Sequence, residues 1–157
     1  MRVTRWLTVA AAVGVAAFVS PGVLAQYGSD YGRQTTGAYV DALKTARTHA
    51  MYSARAETLR DSIMHLGHVV NCLEGARGKN YDASNGNPCQ GQGAGIIPDL
   101  DAAMRGYQMG ATTALDQARK ADELALETLK LTDLTQVKSG ATKVADMLGN
   151  ALRAVGQ

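Results

Sequence analysis

Aromatic residues are scarce in this chain of 157 residues, which has one tryptophan, one phenylalanine and six tyrosines. Trp6 and Phe18 both lie before Pro21, so the core of the remainder must be built from Ala, Leu, Val, Ile and Met, as in helix bundles. Long apolar runs are also lacking after the start of the chain. The run from Trp6 to Val19 is shorter than the ~20 apolar residues of a membrane-spanning helix. It follows Arg2 and Arg5 and precedes Pro21-Gly22 and Val23-Leu24-Ala25, the three-part pattern of a secretory signal peptide. The expectation is a signal over residues 1–25, cleavage after Ala25, a periplasmic or secreted protein, and no transmembrane segment after cleavage.

Excess charge of one sign is absent too. The chain has 16 Lys+Arg against 14 Asp+Glu, and Arg2 and Arg5 leave with the signal, so the mature chain balances at 14 of each sign. Without a basic surplus or a basic run, nucleic acid is not a predicted partner. The motif inventory is equally thin. No C-x-x-C-H occurs at either cysteine, which argues against covalent c-type haem attachment. No G-x-x-x-x-G-K-[ST] phosphate cradle and no nucleophile elbow occur, so nothing points to an enzyme. "DASNGN" departs from a calcium loop at Gly86 and Gly93, where ligating side chains belong.

What remains is helical periodicity. Residues 26–37, "QYGSDYGRQTTG", are aperiodic and read as a flexible lead-in to a domain over 38–157. Tyr39, Leu43, Ala46 and Ala50 then recur at helical spacing, and so do Leu59, Ile63, Leu66, Val70 and Leu73. The second stripe points about 200° away from the first, so the chain is expected to turn near Ser53 to Glu57. A third stripe runs from Ile97 to Leu129 despite Gly106 and Gly110, predicting one long helix. Val137, Ala141, Val144, Leu148, Leu152 and Val155 mark a last one. Strand-like alternation is missing throughout. The predicted fold is all-α, an antiparallel four-helix bundle, with a three-helix bundle containing a long first helix as the alternative.

Between the second and third stripes, residues 75–96 form a glycine-rich segment too long for an ordinary connection. Cys72 and Cys89 flank most of it. In an oxidising compartment they are expected to pair, which in the chain-entropy model is worth about 3 kcal/mol for a loop this size. The alternatives leave Cys72 as a thiolate ligand or both cysteines as a redox pair.

"HLGHVVNC" places His65, His68 and Cys72 on one side of the second helix, about 180–240° from its aliphatic stripe. Two imidazoles one turn apart can share a transition metal, copper or zinc before others, or hold haem non-covalently. In the rival reading the protein is a structural or interaction module, and His65, His68 and Asn71 hydrogen-bond the loop. His49 is the remaining histidine, and its place depends on where the first turn falls. Alanine-rich helices also suit a homo-oligomer or a protein partner.

The stretch from His65 to Gly93 resembles a segment of uncharacterised secreted bacterial helical proteins that share H-x-x-H-V-[VI]-N-x-x-x-G before a glycine-rich loop. His65, His68, Val69, Val70, Asn71 and Gly75 carry the resemblance, which extends to no other part of the chain. It implies that the helix end and loop act as one unit, with Asn71 and Gly75 bracing the loop, and it implies no activity.

Overall fold

The computed structural model describes the backbone from Pro21 to Gln157 and the side chains from Gly37 onward. Among these residues there are five α-helices and no strand: α1 (Pro21–Arg55), α2 (Leu59–Glu74), α3 (Ile96–Arg105), α4 (Ala111–Thr128) and α5 (Leu134–Ala154). A single 3-10 turn, Ala83–Asn85, lies in the segment between α2 and α3. The expected signal peptide falls mainly on residues outside those described. The aperiodic stretch 26–37 belongs to the first part of α1, where extending an existing helix is easier than nucleating one. None of the described helices is long and apolar enough to cross a membrane.

The first stripe is fully interior: Tyr39, Leu43, Ala46 and Ala50 are all buried. α1 ends at Arg55 without glycine or proline. What stops it is the start of the next helix. The Thr58 hydroxyl accepts from the Asp61 N–H and donates to its carboxylate, capping α2 at its N-terminus. Below this corner, buried Ser53 and Ser62 exchange hydroxyl-to-carbonyl hydrogen bonds at 2.8 and 2.9 Å. These bonds satisfy four polar groups that would otherwise be stranded in an apolar crossing. They also fix the register of α1 against α2.

The predicted long third helix is two helices. α3 stops at Gly106, Tyr107 takes a positive φ of 56°, and α4 begins after Gly110, whose φ is 78°. A Cβ at Gly110 would collide with the Ala154 carbonyl oxygen, so the end of α5 presses directly on this break. Periodicity runs on across the two glycines, but the left-handed backbone and the contact from α5 do not permit a continuous helix. Tyr107, which falls at helical spacing within the Ile97–Leu129 stripe, is almost fully exposed. Asp133 caps α5 by accepting from the Gln136 N–H, in the gap between the stripe that ends at Leu129 and the one that begins at Val137.

α5 packs on α1 and α4, α1 on α2, and α2 on α4, with α3 against α4, α1 and α2. The shared interior is made of Ala, Leu, Val and Ile with Tyr39 as its largest member. Alanines at 114, 118, 121 and 125 line α4 and are buried. Small side chains let the helices approach closely, and the core gains contact where it lacks bulk.

Candidate metal centre

The α1–α2 register determines what faces what. Two antiparallel helices that meet at Ser53 and Ser62 bring residues before the first beside residues after the second. His49, four positions before Ser53, is level with Leu66 and therefore falls between His65 and His68. The three rings converge. His49 Nδ1 lies 3.2 Å from His65 Nδ1 and 3.1 Å from His68 Nδ1. The ring centroids are 5.4, 4.7 and 5.6 Å apart for the 49–65, 49–68 and 65–68 pairs. One nitrogen from each ring lies within 4.8 Å of the others, close enough to hold a metal ion.

All three side chains are half-buried. The half-exposed Tyr52 ring covers two of them, 5.6 Å from His49 and 5.3 Å from His65. Burial pushes the His49 imidazole down to about 4, with His68 and then His65 as further causes, since cationic neighbours oppose a proton there. Burial also lowers His65, with His68 adding to the effect and Asp61 opposing it. His49 and His65 are therefore neutral near pH 7, each with a nitrogen lone pair available. In the metal-free protein the single lone pair of an unprotonated His49 Nδ1 accepts a hydrogen bond from one of the two facing Nδ1 atoms, and the other short contact brings a third ring nitrogen to the same point.

Counting along the chain puts His65, His68 and Cys72 on one face, and the expected Cys72–Cys89 disulfide takes Cys72 out of that set. Cys72 is bonded to Cys89, with Cα atoms 5.3 Å apart, and is no thiolate ligand in this state. His49 takes the third place from the neighbouring helix. The signal for it lies in the corner: a histidine four residues before the turn-forming Ser53 and two beyond Ser62 at i and i+3.

The loop is held by other groups. Asn71 is buried and gives all its amide atoms to the loop backbone. Its Nδ2 donates to the carbonyls of Asp82 at 2.7 Å and Gly86 at 2.6 Å, and its Oδ1 accepts from the Asp82 N–H at 2.9 Å. Glu74, at the end of α2, accepts from the Asn80 backbone N–H at 2.6 Å and from its side-chain amide at 2.5 Å. Gly75 has φ 71°, and a Cβ there would collide with the Ala94 carbonyl oxygen. Only glycine lets the far end of the loop pass this close to the helix end. The imidazoles of His65 and His68 point their Nδ1 atoms at His49 instead.

A second titratable cluster lies where the end of α2 meets α3 and α4. A cavity of about 560 Å³ is lined there by Glu74, Arg77, Lys79, Asp101, Arg119 and Asp122, with Ile97 and Pro98 on its apolar side. Asp122 Oδ1 is shielded from water with no hydrogen-bond donor. Burial first, then the Glu74 carboxylate and Glu123, push the Asp122 carboxyl up to about 7. A raised acid stabilises the fold at low pH, and that benefit is lost as pH rises from the ordinary carboxylate range through 7. Asp122→Asn is thus expected to raise the melting temperature by roughly 2–5 °C at pH 8 and by clearly less at pH 5, where only the first part of that loss has occurred. Thermal denaturation at the two pH values checks this, and an equal shift at both would contradict it.

Comparison with family models, with curated proteins and with solved structures finds no match to this chain.

Proposed function

We propose that this is an exported helical protein that captures or delivers a transition metal, zinc or copper, through His49, His65 and His68. The observation that carries the reading is the spacing of the three nitrogens. Imidazole nitrogens about 2.0–2.1 Å from a tetrahedral zinc sit about 3.3 Å from one another. Two of the Nδ1 separations, 3.2 and 3.1 Å, are already close to that geometry, and the three ligand nitrogens all lie within 4.8 Å of one another. Three nitrogens converging on one point also suit a single ion better than the face of a porphyrin, so haem ranks below zinc and copper.

The disulfide supports export, because such bonds persist in oxidising compartments. The segment 1–25 supplies the matching signal pattern. The α1–α2–α4–α5 packing supports the bundle as the scaffold, with α3 as a short fifth element beside it. The resemblance of the His65–Gly93 segment, which joins helix end and loop in one unit, accords with the bonds from Asn71 to that loop.

Burial of the imidazoles shapes the pH response. An imidazole held neutral below its ordinary range keeps its lone pair for metal in mildly acid solution. Calorimetric titration of the chelator-treated protein with zinc is expected to give one ion per chain at pH 7.5. Affinity should change less than about tenfold down to pH 6.0, then fall as the pH approaches the His49 value of about 4. No binding at pH 7.5, or a loss already complete at pH 6.0, would overturn the proposal.

The rival reading keeps one favourable observation. Asn71 does hold the loop in a fixed shape, as a recognition surface for a protein partner would need. That reading gives the three-histidine cluster no task.

A further inference from the structure

A metal held by three imidazoles leaves a coordination position, and the surroundings of the cluster bear on what fills it. Closed structural zinc sites use four protein ligands, whereas sites that act on something else use three and keep the fourth for an exchangeable group. Among the described residues the His, Cys, Asp and Glu donors able to share one ion number three, the histidines themselves.

The cluster is walled on several sides. α1 supplies His49, α2 supplies His65 and His68, and the loop closes in at Gly86, where an added Cβ would lie 3.7 Å from His68 Nε2. On the His65 side it adjoins an open cavity of about 490 Å³ lined by Tyr52, Arg55, Ala56, Glu57, Asp61, Met64 and His65. A volume of that size admits a small ligand. The charges there are mixed. Neutral imidazoles leave a divalent ion with its full charge of two, Arg55 adds one more, and Glu57 with Asp61 subtract two, so the balance stays positive once metal is bound.

We infer that the fourth position of the His49–His65–His68 metal opens to the cavity beside Tyr52 and Arg55 and takes an exchangeable small anion, with Arg55 favouring it. The inference rests on the metal reading above and deepens it. A metal bound with such a position could bind and polarise a small anionic ligand or water, which a four-ligand structural site cannot. Exchange involves no redox step: the anion enters as the bound water leaves.

Cobalt(II) serves as the probe, because its visible absorption responds to coordination, with azide as the small anion. Adding Co²⁺ to the chelator-treated protein should produce a visible band, and azide should then shift it in a saturable way. Arg55→Ala, an exposed position whose loss should not disturb folding, is expected to weaken azide about 2- to 5-fold while leaving the cobalt band itself unchanged. A cobalt band indifferent to azide would overturn the open position while leaving the metal site standing. An unaltered azide affinity in Arg55→Ala would remove Arg55 from the inference. Failure to bind either cobalt or zinc would overturn both readings together.

Discussion

Replacing His49 with alanine is expected, on the metal reading, to lower zinc affinity by more than 100-fold and at the same time to remove a pH-dependent weakness of the metal-free fold. The first effect follows from the contacts. His49 is the hub, with Nδ1 at 3.2 and 3.1 Å from the other two rings, so its loss leaves two ligands on one helix. Loss of a group that merely orients a ligand costs about 10–100-fold, and loss of a ligand itself should exceed that. In melting experiments, zinc at about 100 times its Kd adds about 2.7 kcal/mol, or roughly 10 °C in a chain of this size. That increment should vanish in His49→Ala.

The second effect has the opposite sign. In the folded protein His49 protonates only near pH 4, whereas in the unfolded chain it does so near its ordinary value of 6.5. Between those values the unfolded state binds the extra proton, so stability is full above about pH 6.5 and drains away as the pH falls toward 4. Metal-free His49→Ala lacks this contribution and should show a flatter dependence of melting temperature on pH across that window. A structural role for His49 predicts a different result: a variant less stable than the parent at every pH, with or without zinc. Parallel melting curves from pH 4 to 8, each with and without zinc, separate the two.

The difference between what is legible in the sequence and what is not follows from where the determinants lie. The first and last stripes are readable because each is one continuous face, and their residues from Tyr39 to Ala50 and from Val137 to Leu152 are interior. The corner near Ser53 is readable from the jump in phase between two stripes. The break between α3 and α4 is not, since an apolar pattern spans Gly106 and Gly110 unbroken. It goes with left-handed backbone at Tyr107 and Gly110 and with the Ala154 carbonyl of α5 pressed against Gly110, a contact that no local pattern announces. The metal cluster divides in the same manner. His65 and His68 share a helix face and can be paired by counting, while His49 reaches them only through an antiparallel register. Cys72 looks like the natural third donor because it is local, and the disulfide with Cys89 removes it.

Asn71→Ala should be the most damaging single substitution in the loop's attachment, and its effect should grow when the disulfide is reduced. Three hydrogen bonds of 2.6–2.9 Å leave with the amide. At about 0.5–1.5 kcal/mol net for each, the loss is about 2–4 kcal/mol, comparable to the ~3 kcal/mol assigned to the Cys72–Cys89 link. Asn71→Asp is not a rescue. It keeps an acceptor for the Asp82 N–H but sets a carboxylate against the carbonyls of Asp82 and Gly86. The two ties act on neighbouring parts of one segment, so either alone holds it near α2 and their removal together is not the sum of the two parts. Limited proteolysis should find residues 79–91 resistant in the parent, slowly cut in Asn71→Ala, and rapidly cut in reduced Asn71→Ala. Ties from Thr45 to Gln92 and from Asp99 to the Ala94 N–H remain at the far end and should keep α3 seated. The histidine cluster provides the internal control. Gly86 borders His68, yet all three nitrogens come from α1 and α2, so zinc affinity in Asn71→Ala should fall by less than about tenfold, as for a supporting group. A loss as deep as that of His49→Ala would mean that the loop, and not the helix register, assembles the three histidines.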